Sequence, residues 1–97
     1  MFIVNKTNIF VEWIKKLKDR KARAIILNHI DNMEEGKLGV FVSVGSGVFE
    51  KKINYGPGYR LYYVKHGGNI ILLLCGGDKP TQQNDIIQAQ KLWKELK

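Results

Sequence analysis

Residues 48–79 read VFEKKINYGPGYRLYYVKHGGNIILLLCGGDK, and this stretch decides the fold. Two turn signals divide it into three strand-like runs. The first run carries Glu50, Lys51, Ile53 and Tyr55 and stops at Gly56-Pro57-Gly58. Pro57 pre-sets φ at the second position of a type II turn, and Gly58 supplies the positive φ needed at the third. The second run, Tyr59 to Val64, is rich in aromatic and β-branched residues, which favour strands. His66-Gly67-Gly68-Asn69 makes the next turn. The third run, Ile70 to Cys75, is continuously apolar, as a central strand covered on both faces is. Gly76-Gly77-Asp78-Lys79 reads as its end.

Working outward, Met1 to Asn5 predicts a first short strand. Thr7 can cap a helix, and Phe10, Trp13, Ile14 and Leu17 follow at the spacing of one helical face. Asp19 is the cap expected for a second helix, running to about Met33 with Ala22, Ile25, Ile26, Ile30 and Met33 on its apolar side. The short link between them predicts an antiparallel helical hairpin. Residues 37–47 are irregular, with room for a short strand at Val40 to Val44. Pro80 and Thr81 introduce a last helix, in which Asp85, Ile86, Ala89, Trp93 and Leu96 recur at helical spacing. The expectation is a single α+β domain over residues 1–97. Its helices gather on one face of a mainly antiparallel sheet of about four strands.

The chain has 97 residues and a net charge of +7. The excess is uneven: residues 37–65 hold Lys37, Lys51, Lys52, Arg60 and Lys65 against Glu50 alone. A basic domain of this size points to a polyanion or an acidic protein partner. The one cysteine excludes an intrachain disulfide, and the two histidines and that cysteine match no zinc spacing. No metal and no cofactor are expected. The N-terminus lacks the pattern of a secretory signal, and no apolar run has the ~20 residues of a membrane span, so a cytoplasmic location is expected. Cys75 ends an apolar run and reads as a buried, inert thiol rather than a nucleophile. Gly76-Gly77 lacks the spacing of a phosphate loop. His29 reads as a helix-boundary residue and His66 as a turn residue.

The basic residues say more. Lys52 and Arg60 flank the tight hairpin and should be neighbours on adjacent strands. Where Lys52, Arg60 and Lys79 share a face, they form a positive patch between sheet and helix. Tyr55, Tyr59, Tyr62 and Tyr63 are interleaved with them. Arginine can hold a phosphate bidentately, and tyrosines can stack on unpaired bases. The pattern fits single-stranded RNA better than a duplex read by a helix. Ordinary strand tyrosines beside a solvated lysine face would give the same pattern.

Three segments also carry a family resemblance. WIKKLKDRKARAIILNHI (13–30), VGSGVFEKKINYGPGYRLYYV (44–64) and LLLCGGDKPTQQNDIIQAQKL (72–92) resemble the HigB-like branch of the RelE/ParE toxin superfamily, often called addiction module killer protein. The resemblance runs from about Phe10 to Leu96. It implies the toxin of a type II toxin–antitoxin system, held inactive by an antitoxin. In the HigB branch that antitoxin is typically a helix-turn-helix, HigA-like protein. RelE- and HigB-type members cut mRNA in the ribosomal A site, whereas ParE-type members share the fold and inhibit DNA gyrase; fold alone does not fix the activity.

By resemblance, Arg60 matches the strand arginine that acts at the scissile phosphate. Standing on a strand just past the turn, it is expected to be exposed with few core contacts, the alternative being that it pairs with Glu50 across the hairpin. Lys52 stands where the branch has arginine, in Glu50-Lys51-Lys52-Ile53, and keeps the charge without the bidentate fork. Lys79 matches the basic residue after the last strand. The last helix has no Tyr or His where several relatives place a catalytic side chain. The implied metal-independent endoribonuclease would use Arg60 to stabilise the phosphorane, with Lys52, Lys79 and Glu50 as the candidates for proton transfer. Lys51, Lys52, Tyr55, Tyr59, Arg60 and Lys79 would contact RNA. Ribosome and mRNA would be the partners in the reaction. An inactive RNA-binding relative is a further alternative.

Overall fold

The hairpin chemistry of the opening stretch builds most of the sheet. In the structure, a computed structural model describing residues 1–97, the chain runs β1 (Ile3–Lys6), α1 (Asn8–Lys16), α2 (Arg20–Glu34), β2 (Phe41–Ser43), β3 (Phe49–Ile53), β4 (Tyr59–His66), β5 (Ile70–Asp78), a 3-10 turn (Lys79–Thr81) and α3 (Gln82–Leu96). The sheet order is β1-β5-β4-β3-β2. Only β1 and β5 run parallel; every other pair is antiparallel. The fold is α+β as expected, but the sheet has five strands rather than about four. The fifth arises because residues 41–43 pair with β3 as an edge strand.

Local chemistry sets the helix ends. The Thr7 hydroxyl accepts from Phe10 N at 3.1 Å and donates to Leu74 O at 2.6 Å, so it caps α1 and ties it to β5. The Asp19 carboxylate accepts from Ala22 N at 3.1 Å and caps α2. Each such cap contributes about 1 kcal/mol. The hairpin turn departs by one residue from expectation. Gly58 N donates to Tyr55 O at 3.1 Å, so the turn is Tyr55-Gly56-Pro57-Gly58. Gly56, with φ +56°, takes its first central position, which a residue with a side chain would rarely accept.

The helices do not share one face. Phe10, Ala22, Ile26, Ile30 and Met33 from α1 and α2 pack on Ile53, Tyr59, Leu61, Tyr63, Ile71 and Leu73. Ala89 of α3 packs on the other face, with Val48, Tyr62, Val64, Leu74 and Cys75. Strand alternation separates the two sets, since successive side chains point to opposite sides. This two-sided cover explains why β5 is apolar without interruption. Between Tyr62 and Tyr63 the register slips by one residue, a β-bulge that sends both Leu74 and Cys75 toward α3.

A further correction concerns Gly76 and Gly77. They do not end β5; the strand continues through them to Asp78. A Cβ on Gly76 would collide with the Trp13 ring, and one on Gly77 with the Asp85 carboxylate. Glycine stands at both positions because α1 and α3 approach the strand backbone from opposite sides.

Candidate functional site

Pairing between β3 and β4 assembles the site. Lys52 lies directly opposite Arg60, and Glu50 directly opposite Tyr62. Directly opposed residues project from the same face, so all four are on the α3 side. Gly77 of β5 is the partner of Arg60 on its other flank. Lys79 follows immediately after β5. A Cβ built on Gly58 would lie 3.2 Å from Arg60 Nη1 and 3.8 Å from Lys79 Cβ, so the hairpin turn, Arg60 and Lys79 meet at this glycine. The structure thus brings Lys52, Arg60 and Lys79 to one corner of the molecule.

Arg60 is not the exposed strand residue that the sequence implies. It is 5% exposed. Its Nη1 donates to Gly58 O at 2.7 Å, and its Nε, buried without a hydrogen-bond partner, lies 3.9 Å from Glu50 Oε1. Glu50 is equally buried, at 7% exposure. Its Oε2 accepts from the Tyr62 hydroxyl at 3.0 Å and from Gln82 Nε2 at 2.9 Å. Burial, and then the charge and hydrogen bond of Glu50, push the Tyr62 hydroxyl pKa far up, so it stays a neutral donor. Lys52 and Lys79 remain exposed.

Beside this cluster, Asp78 accepts from Thr81 N at 3.3 Å, and the Thr81 hydroxyl donates to the Asp85 carboxylate. Burial raises the Asp85 pKa; the Thr81 hydrogen bond opposes the shift and Asp78 adds to it. Cys75 Sγ faces Asp85 O at 3.7 Å, and burial with the nearby Asp85 charge pushes its thiol up to about 12. That is an inert thiol, as the sequence implies.

Three residues expected to contact RNA lie elsewhere. Lys51 points to the opposite face, is 2% exposed, and its Nζ donates to Leu38 O at 2.8 Å. Tyr59 belongs to the core under α1 and α2, in edge contact with Trp13 at a 6.2 Å centroid separation. Tyr55 is half-buried beside it, its hydroxyl donating to Asp19 Oδ2 at 3.3 Å. Tyr62 and Tyr63 are fully buried. None of these four tyrosines offers the Arg60 corner a stacking surface. Conversely, sequence reasoning missed Tyr62 and Gln82 as the partners of Glu50. The Lys52–Arg60 pairing implies Tyr62, because stepping two residues along each strand reaches Glu50 and Tyr62. Gln82 has no comparable signal.

The arrangement can hold an anion at a fixed place. Two exposed ammonium groups flank a guanidinium whose orientation is set by a carbonyl, a carboxylate and a rigid turn. Little side-chain freedom remains for Arg60 to lose when a phosphate arrives.

No protein-family model matches the chain. A relative from Haemophilus influenzae (strain Rd), described as an uncharacterized protein, is 43% identical over 93 residues, covering 96% of this chain and 94% of that protein. In the intact Escherichia coli RelBE toxin–antitoxin complex, one chain matches this fold with a TM-score of 0.65 over 81% of this chain and 98% of that one, at 13% identity. That identity carries the fold and no more. The chain therefore belongs to one family with the Haemophilus influenzae protein, and it shares the fold of the matched chain of the RelBE complex.

Proposed function

We propose that this chain is the toxin of a type II toxin–antitoxin system and acts as a HigB-like endonuclease on ribosome-bound mRNA. The observation that carries the reading is the corner where Lys52, Arg60 and Lys79 converge on a RelE-type sheet. In the reaction, the 2′-hydroxyl attacks the adjacent phosphorus and the 5′-oxygen leaves. The products are a 2′,3′-cyclic phosphate and a 5′-hydroxyl. One group takes the 2′ proton and another returns a proton to the 5′-oxygen. Arg60 stabilises the charge gathering on the phosphorane. Glu50 is a poor base, because its oxygens already face Tyr62, Gln82 and Arg60. Lys52 and Lys79, exposed beside Arg60, are the groups left to move protons. Such a sparse set leaves substrate positioning to the ribosome. The natural restraint is a helix-turn-helix antitoxin of the HigA type.

One observation favours a second reading. Arg60 is already bonded to Gly58 O and faces a buried carboxylate, so the corner also suits a ParE-like inhibitor that binds DNA gyrase without cutting RNA. Inducing the chain in bacteria and mapping RNA 5′ ends separates the two. The nuclease reading predicts growth arrest with new breaks inside translated frames. Arrest with intact transcripts, and loss of supercoiling by purified gyrase, supports the second reading instead.

A further inference from the structure

Centred on the face away from Arg60, a pocket of about 550 Å³ opens between α2 and the β2–β3 region, lined by Ile25, His29, Val40, Lys51, Lys52 and Tyr55 among others. No Asp or Glu lines it. At its rim, the Tyr55 hydroxyl donates to Asp19 Oδ2 at 3.3 Å. Lys51 lies at its floor, 2% exposed, with one hydrogen bond, to Leu38 O. No carboxylate comes within 4 Å of its Nζ; the ion pairs of the molecule are Lys37–Glu35 and Arg60–Glu50. A buried ammonium without a counter-ion is costly, and burial pushes the Lys51 pKa down. One of its three N–H donors meets a protein acceptor.

The mouth of this pocket adjoins the edge of the sheet. β2 pairs with β3 on one side and has no strand on the other. Val40, Phe41 and Val42 are all exposed there, Val40 at 77%. A free strand edge with apolar side chains is a template for a further strand. Lys65 lies over the Phe41 and Phe49 rings, and Lys37, Lys51 and Lys52 are nearby in sequence or register. The one acid of residues 37–65, Glu50, is buried on the opposite face.

We propose that the Lys51 pocket receives a carboxylate side chain from a protein partner whose acidic, extended segment pairs with the free edge of β2. Main-chain hydrogen bonds to β2 would supply the contact length, and the Lys51 carboxylate pair its register. Nucleic acid is the poorer occupant, since it cannot use a strand edge or the apolar lining. The inference does not require the RNA-cleavage reading: Arg60 lies on the other side of the sheet, and of the three basic residues of that corner only Lys52 borders this pocket.

The test titrates two blocked peptides into the full-length ¹⁵N-labelled chain: acetyl-Val-Glu-Val-Glu-Val-amide and its glutamine counterpart. The expected result is saturable shifts of the Gly39 to Ser43 and Lys51 amides. The glutamine peptide should bind at least about tenfold more weakly, the difference expected for one hydrogen bond to a charged group. Lys51→Met should abolish the preference for glutamate. Absence of saturable shifts at residues 39–43 overturns the proposal. So does equal affinity for the two peptides, or displacement of the acidic peptide by a short oligouridylate. The peptide comparison on the parent chain decides the matter even where Lys51→Met fails to fold.

Discussion

Arg60 and Glu50 are diagonal neighbours across the β3–β4 pairing with both side chains out of solvent, Arg60 Nε 3.9 Å from Glu50 Oε1. The pair gives the proposed site its geometry and also ties that site to the stability of the fold. Removing one member leaves the other as a buried, uncompensated charge. Arg60→Ala and Glu50→Ala should each lower stability by about 3–5 kcal/mol, read from denaturant midpoints. Glu50→Gln should cost less, since its amide oxygen still accepts from Tyr62 or Gln82. Variants of Arg60 that melt like the parent would show that the pair contributes nothing. The exposed residue implied by the sequence would have predicted that outcome.

Lys52 allows a cleaner test of chemistry. It is exposed and sits opposite Arg60 in register. Lys52→Ala should leave stability within about 0.5 kcal/mol of the parent, as for surface substitutions generally. Cleavage should fall by about 10²–10⁴-fold if Lys52 moves a proton. An unchanged cleavage rate in a normally folded variant removes it from the reaction.

Gly76 tests the packing that holds β5. Alanine there would meet the Trp13 ring, and the neighbouring Phe10 leaves that ring little room. Overpacking of this kind costs about 1–3 kcal/mol. Gly76→Ala should therefore lower the denaturation midpoint and shift Trp13 fluorescence, whereas Gly68→Ser, at an open turn position, should leave Trp13 unmoved.

His29 reports on the Lys51 pocket. Burial first, and then the Lys51 charge, holds its pKa below the ordinary 6.5. The unfolded chain binds this proton more tightly than the folded one. The stability contribution of neutral His29 is thus complete above pH 6.5 and is lost as pH falls through the window just below. His29→Gln should flatten that part of the stability profile. In an NMR titration, Lys51→Met should raise the His29 pKa; an unmoved midpoint would separate the two residues electrically.

Much of this architecture is legible in the sequence. Thr7 and Asp19 read as caps because their side chains solve a local problem, and both do so here. The Lys52–Arg60 pairing followed from a tight turn between them. What a segment does not reveal is what approaches it from outside. Gly76 and Gly77 look like a turn, and nothing local reveals that Trp13 and Asp85 press on them. Arg60 looks exposed because the strand pattern cannot show that Glu50, Tyr62 and Gln82 close over its face. Lys51 and Lys52 look like one patch, although strand alternation alone places them on opposite sides. The uninterrupted apolar run of β5 implies cover on both faces, and helices stand on both rather than on the one face expected.

The most direct measurement supplies the purified chain to ribosomes programmed with a defined end-labelled mRNA, beside Lys52→Ala and Arg60→Lys. The account predicts cleavage within the ribosome-bound codons, leaving a 2′,3′-cyclic phosphate and a 5′-hydroxyl. The rate should be much reduced by Lys52→Ala and only partly retained by Arg60→Lys, which keeps the charge but loses the fork. An mRNA that stays intact on the ribosome with the folded parent chain would contradict it.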